Sequence, residues 1–213
     1  MGRRALPKID PTLDLSRHLT TLDQLPRPFD AAAVFGRTAP LEVEVGSGKG
    51  LFLLSASGAR PECNFLGCEV SRKYATFAAA RLARAARPHA RMVHGDASHL
   101  FREVLPDHAA AAVHIYFPDP WWKKRHLRRL LMNEPFLTDV RRVLEPGGQL
   151  HFWTDVREYF ETTVDLVGRL GGFRSPEPVL ERPAAHDLDY QTHFERRMRL
   201  HAEPVYRAVF QRE

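Results

Sequence analysis

Leu41-Glu-Val-Glu-Val-Gly-Ser-Gly-Lys-Gly50 is the stretch that decides the fold. Leu41–Val45 reads as a buried strand, the next residues hold glycine at 46, 48 and 50, and a helical stretch follows to about Arg60. Strand, glycine turn and helix in that order form the unit with which an open parallel sheet receives a ligand at its carboxyl edge. Glycine suits such a turn because a Cβ would block the approach of backbone to ligand. The spacing excludes two familiar phosphate loops. A dinucleotide fingerprint needs glycine at 51, where Leu51 stands. A P-loop needs Ser or Thr after its lysine, where Gly50 stands. Glu44, just ahead of the first glycine, would repel phosphate and suits a positively charged ligand.

Outward from this stretch, strands and helices alternate. Asn64–Val70 predicts a strand and Ser71–Arg87 a helix capped by Ser71. Arg91–His94 predicts a third strand, with a short helix from Asp96. Ala111–Phe117 predicts a fourth, ending at Pro118-Asp119-Pro120. A helix around Pro135–Leu144 with proline in its first turn, a turn at Glu145–Gly148, a strand at Gln149–Thr154 and a helix at Val156–Leu170 complete the alternation. The tail Pro204–Gln211 alternates apolar and polar residues and reads as a final strand. This order predicts an α/β doubly wound sheet in one domain over residues 41–213. Residues 1–40, with Pro7, Pro11, Pro26, Pro28 and Pro40, read as an N-terminal arm with one or two short helical turns.

Four carboxylates fall at or near the carboxyl ends of four successive strands: Glu44, Glu69, Asp96 and Asp119. Each alone suits a helix cap or a solvated loop; together they keep register with every strand. Glu69 stands where an acidic side chain accepts hydrogen bonds from both hydroxyls of a ribose. Asp96 follows Gly95, within reach of an adenine edge. Clustered carboxylates also bind divalent metals, but acids spread along a sheet edge suit a long ligand better than a point charge. A cationic nucleoside without phosphate fits: S-adenosylmethionine.

Composition bounds the rest. The 213 residues are 44% hydrophobic and 27% charged, values of an ordinary globular protein. Cys63 and Cys68 are too few for a disulfide framework and lack zinc spacing, so a reducing compartment and small core residues are expected. No apolar run approaches the ~20 residues needed to span a bilayer. The basic start is interrupted by Lys8, Asp10 and Asp14, unlike a signal peptide, so a cytoplasmic protein without membrane attachment is expected. The formal net charge of +5 is matched by residues 121–142 alone, which hold 7 basic and 2 acidic side chains. That stretch opens with Trp121, Trp122, Lys123, Lys124, Arg125, His126, Leu127, Arg128 and Arg129. A charge run is usually a solvated face, but aromatic and basic groups together also suit a phosphate-rich, base-bearing partner.

Several segments, in one order, resemble a known family. They are Glu44-Val-Gly-Ser-Gly-Lys-Gly50, Asn64-Phe-Leu-Gly-Cys-Glu-Val70, Phe117-Pro-Asp-Pro-Trp121 with Lys123-Lys-Arg-His126, Thr154-Asp155 and Thr192-His-Phe-Glu195. Over residues 41–212 they look like the bacterial tRNA (guanine-N7-)-methyltransferases of the TrmB type. The resemblance implies a class I methyltransferase: a Rossmann-like, seven-stranded sheet with its last strand antiparallel. It implies S-adenosylmethionine as donor, S-adenosylhomocysteine as product, no metal, and tRNA as substrate, modified at the variable-loop guanosine (tRNA position 46). Carried over by position, Glu44, Gly46, Gly48, Glu69, Asp96 and Asp119 would hold the cofactor, with Asp119 also catalytic. Lys123, Asp155, Thr192, His193, Phe194 and Glu195 would contact substrate, and Lys123, Lys124, Arg125, Arg128 and Arg129 would hold the tRNA backbone. A monomer and a homodimer both remain open.

The implied chemistry asks little of nucleophilic side chains. Guanine N7 carries a free lone pair, so no proton must leave before it attacks a methyl group, and no Ser/His/Asp or Cys/His arrangement is needed. Positive charge moves onto the purine, and oriented carboxylates stabilise it there. Asp119 is expected to do this, and Asp155 to accept from a guanine edge or serve as a helix N-cap. Thr192 is expected to bond base or phosphate and Glu195 to accept from guanine N1 or N2, unless this segment only ties down the last strand. Two other functions fit the same fold: methylation of an exocyclic amino group of RNA or DNA, and RNA binding without catalysis. The single proline between Asp119 and Trp121 disfavours the first, and the four carboxylates with an intact glycine loop disfavour the second.

Overall fold

The computed structural model describes residues 6–119, 130–179, 183–184 and 190–213. Leu41–Val45 (β2) lies at the middle of the sheet and is buried along its whole length. It pairs in parallel with Asn64–Glu69 (β3) on one side and Ala110–Tyr116 (β5) on the other. Ala90–His94 (β4) continues beyond β3, and Leu144–Thr154 (β6) beyond β5, again in parallel. Tyr206–Gln211 (β8) joins β6 antiparallel. At the far edge Leu19–Thr21 (β1) pairs in parallel with β4. These strands form the expected mixed sheet with its last strand antiparallel, and the two-residue Glu177–Pro178 (β7) extends it past β8, giving the order β1-β4-β3-β2-β5-β6-β8-β7. The order reverses direction at β2, so the gap between the carboxyl ends of β2 and β5 is the switch point where such sheets bind ligands.

The helices cover both faces, as a parallel sheet requires. Leu51–Ala59 (α2) and Arg72–Arg84 (α3) pack Leu53, Ala75, Ala78 and Leu82 against Phe65 and Met92. On the opposite face Glu134–Val143 (α5) and Arg157–Leu170 (α6) contribute Phe136, Val140, Tyr159 and Val167 to the larger core. Asn133 caps α5 by accepting the Phe136 N–H, with Pro135 in the first turn. Among the described residues no helix is long and apolar enough to cross a membrane.

Several boundaries differ from the sequence reading. Ser71 holds the N-cap position of α3, but its side chain makes no capping bond, and the Ser71 N–H donates instead to Glu69 Oε1. The helix ends at Arg84 rather than Arg87, where Ala86 takes φ 50°. The expected turn at 145–148 is a bulge inside β6, between the pairs Ala110–Leu144 and Ala112–Gln149. Gly148 is required there: a Cβ would meet the Glu145 carbonyl at 2.8 Å and that of Ala111 at 3.1 Å. Residues 6–40 bring more than helical turns. Besides β1 they contain Leu22–Gln24, a 3₁₀ turn, and Ala31–Phe35 (α1), and they bury Leu22, Leu25, Phe29 and Val34 in the larger core.

Candidate active site

The glycine turn after β2 is fastened from three sides. Gly46 donates its N–H to the Cys68 carbonyl at 2.8 Å, Gly50 to the Ser47 carbonyl at 2.8 Å, and Gly48 to Glu69 Oε2 at 2.8 Å. Gly50 sits against α3 at φ 68°, where an added Cβ would meet Ala78 Cβ at 2.6 Å. Only glycine tolerates both that conformation and that contact. Glu69 thereby accepts two backbone N–H groups, one at each oxygen. Each carboxylate oxygen keeps a second acceptor site, so the side chain is pre-oriented and still able to receive a pair of hydroxyls.

Two cavities open at the carboxyl ends of β2 and β5 and share Gly46, Gly48, Tyr116 and Phe117. The larger, about 640 Å³, is walled by Glu69, Asp96 and Asp119 with Val70, Tyr74 and Leu131 among its other residues. Three of the four predicted strand-end carboxylates therefore meet in one chamber. Asp96 caps Ala97–His99 (α4) by accepting the Ser98 N–H at 2.7 Å through Oδ1. It is both the cap and a cavity residue, two roles that the sequence posed as alternatives. The smaller cavity, about 380 Å³, is lined by Glu44, Ser47, Lys49 and Phe52 and closed by Thr192, His193, Phe194 and Arg197.

Glu44 is 2% exposed, and its Oε2 is buried with no hydrogen-bond partner. Burial pushes its pKa up to about 8, against a hydrogen bond from Ser47 and with help from the charge of Glu69. A buried acceptor left without a donor, in a cavity wall, is matched by a cationic group. Beneath it runs a polar chain that the sequence did not suggest. His114 Nε2 lies 2.7 Å from Glu42 Oε2, and Arg60 Nη2 donates to the same oxygen at 2.7 Å. The other imidazole nitrogen meets the Tyr116 hydroxyl at 2.9 Å. Burial works to raise the Glu42 pKa, but His114 and Arg60 outweigh it and the net shift is downward. Burial lowers that of His114. An ionised Glu42 fixes the proton on Nε2 and leaves Nδ1 to accept from Tyr116.

The closing element is His193–Leu200 (α7), where the sequence offered substrate contacts or, as the alternative, a loop tying down the last strand. Thr192 caps it, accepting the Glu195 N–H at 2.9 Å. Phe194 faces Phe117 with ring centroids 4.8 Å apart, and the Arg197 guanidinium lies 4.3 Å from the Phe194 ring. Phe117 takes φ 51°, a strained conformation for an aromatic residue. Its N–H is held by the Trp153 carbonyl at 2.7 Å.

Two residues expected to contact substrate stand apart from both cavities. Glu195 is 3% exposed and lines neither cavity. Its Oε2 accepts the Gln191 N–H at 2.6 Å, and Oε1 meets Arg199 at 3.5 Å and Arg207 at 3.4 Å. It anchors α7 to β8. Asp155, half-buried just past β6, also lines neither cavity; the cap position of α6 is Val156, whose N–H donates to Thr154 Oγ1. Lys123, Lys124, Arg125, Arg128, Arg129 and the pair Trp121-Trp122 lie outside the described residues. Tyr74, Tyr116, Phe117 and Arg197 were missed as cavity residues. For Phe117 the signal was available, since it opens Phe-Pro-Asp-Pro at a strand end. Cys63 and Cys68 are buried free thiols. Among the described residues no group of three or more His, Cys, Asp or Glu side chains is placed to hold a metal ion.

Comparison with known proteins places this geometry. The model of a family described as "Putative methyltransferase" matches residues 38–208. A tRNA (guanine-N(7)-)-methyltransferase of Rhodopirellula baltica is 47% identical over 218 residues, covering 100% of this chain and 80% of the relative. A protein of the same name from Paracidovorax citrulli is 37% identical over 196 residues, covering 90% of this chain and 76% of its own. Among solved structures, the aminoglycoside resistance methyltransferase NpmB1 superposes with TM-score 0.63 at 20% identity, over 89% of this chain and 95% of that one. A SAM dependent methyltransferase from Aquifex aeolicus superposes with TM-score 0.57 at 14% identity, over 87% and 91%. At such identities the structural likeness speaks for the fold alone.

Proposed function

Because this chain belongs to the tRNA (guanine-N7-)-methyltransferase family, we propose that its double cavity transfers a methyl group from S-adenosylmethionine to N7 of a tRNA guanosine, that of the variable loop. The observation that carries the reading is the meeting of two unlike chambers at Gly46, Gly48, Tyr116 and Phe117. One, about 640 Å³, is walled by three carboxylates; the other is roofed by aromatic and basic side chains of α7.

The donor supplies the methyl group when bound. The chain's residues fit it by their own chemistry. Glu69, held by two N–H groups, accepts from ribose hydroxyls, and Asp96 faces the adenine. The orphaned Glu44 oxygen receives the cationic amino acid end across the glycine turn. Asp119, exposed at the mouth of the larger cavity, orients the guanine and favours the positive charge that develops on it. Phe117 and Phe194 offer a stacking surface for the base, and Thr192 and His193 border it. No general base is required, since N7 holds no proton.

RNA is held by charge. Lys123, Lys124, Arg125, Arg128 and Arg129 follow Asp119 in sequence, and their hold on the phosphate backbone weakens steeply with salt. A tritiated-methyl assay on unmodified tRNA, followed by nucleoside analysis, tests the whole reading. Label in 7-methylguanosine supports it; label in an exocyclic amino group, or none at all, overturns it.

A further inference from the structure

Arg81 lies outside both cavities, half-buried in the last turn of α3. Its Nη1 donates to the Lys49 carbonyl at 2.9 Å and lies 3.2 Å from His193 Nε2. Lys49 belongs to the glycine turn and His193 to the first turn of α7, and both line the 380 Å³ cavity. One guanidinium nitrogen therefore touches two walls of that cavity. Its two hydrogens suffice for two acceptors, a carbonyl and an imidazole nitrogen. The platform beneath is firm, because Ala78, one helical turn earlier on α3, supports Gly50 of the same loop.

We propose that Arg81 is a positioning residue that couples donor binding to RNA binding, by fastening the glycine turn and the N-terminus of α7 to a single nitrogen. The inference deepens the methyltransferase reading and rests on it. Ordering the loop around the donor sets the Lys49 carbonyl, which sets the guanidinium, which presents His193 and the start of α7 to the nucleic acid. Linkage requires the reverse effect to be equal: RNA seated against α7 must tighten the loop around the donor by the same factor.

The test measures the affinity of the full-length protein for S-adenosylhomocysteine with and without saturating unmodified tRNA. In the parent protein the affinity rises on adding tRNA by about 5-fold or more, at the lower end of ordinary coupling. In Arg81→Met that ratio falls to about 1, while the melting temperature changes little. His193→Ala, which leaves the Lys49 contact in place, loses the ratio too, and the double variant is no worse than either single one. Arg81→Lys, whose compact ammonium replaces a two-hydrogen fork, recovers only part of it. A folded Arg81→Met that keeps the parent's ratio overturns the proposal, as does a parent with no ratio to lose. Should Arg81→Met not fold, Arg81→Gln decides by the same criterion. Methylation of tRNA by the parent is measured alongside, so that a failure of the enzymatic reading is told apart from a failure of the coupling.

Discussion

The Glu69 carboxylate accepts the Gly48 N–H at 2.8 Å, joining the acidic end of β3 to the glycine turn that follows β2. With Ser71 on its other oxygen, the side chain is a fixed bridge rather than a free acid. Glu69→Gln turns one acceptor into a donor, so one of the two N–H groups faces another N–H. Hydrogen bonds to charged groups are worth about 1.5–3 kcal/mol. The variant is expected to lose stability of that order and to bind S-adenosylmethionine at least about tenfold more weakly. Thermal unfolding and titration calorimetry read the two effects; unchanged donor affinity would remove Glu69 from the site.

Asp119 behaves differently from Glu69, because it is exposed. Removing a group that stabilises developing charge typically costs about 10²–10³ in turnover. Asp119→Ala is therefore expected to keep its melting temperature and near-normal donor affinity while single-turnover methylation falls by that factor. Unaffected turnover would show that Asp119 takes no part in the chemistry.

The strand–turn–helix of residues 41–60 and the alternation after it were legible because buried parallel strands and capped helices write their periods locally. Glu69, Asp96 and Asp119 were legible as a set because strand ends share one edge of such a sheet. β1 was not, since three residues at an edge are defined by pairing with β4 and carry no period of their own. The helix α7 left a trace that went unread: Thr192-His-Phe-Glu195 has the Ser/Thr-x-x-Glu form of a capping box. Its glutamate reaches back to the Gln191 N–H. The chain Arg60–Glu42–His114–Tyr116 was invisible, because the pairing of β2 with β5 joins residues 72 apart in sequence.

Glu44 sets a pH dependence whose sign can be worked out. Burial raises its pKa to about 8, above the ordinary 4.5. Between those values the folded state holds a proton that the unfolded chain has released, so the stabilising contribution is full below about 4.5 and declines until about 8. The slope approaches about 1.4 kcal/mol per pH unit at most. Glu44→Gln, neutral throughout, is expected to match the parent near the acidic limit and to exceed its stability at the alkaline one. A cationic ligand favours the carboxylate, so donor binding to the parent at neutral pH releases a proton, and binding to the variant does not. Melting curves across this range, and calorimetry in two buffers of different ionisation enthalpy, provide the readings. A parallel pH course for both proteins would contradict the assignment.

Glu195 separates an anchoring role from direct reading of the base. Its side chain is 3% exposed, between Arg207 at 8% and Arg199 at 14%. Removing one partner of a buried ion pair costs up to about 3–5 kcal/mol. Glu195→Ala is expected to lose stability of this order, reduced by what the partly exposed Arg199 regains from water. Because the carboxylate also holds the Gln191 N–H at the start of α7, KM for tRNA should rise while donor affinity without tRNA stays near that of the parent. A carboxylate reading the guanine N2 amino group would give the opposite pattern: a normal melting temperature, with loss of discrimination between guanosine and inosine at the target position. Thermal unfolding beside methylation of the two substituted transcripts distinguishes the outcomes. A stable Glu195→Ala that accepts both bases would restore Glu195 to the substrate contacts.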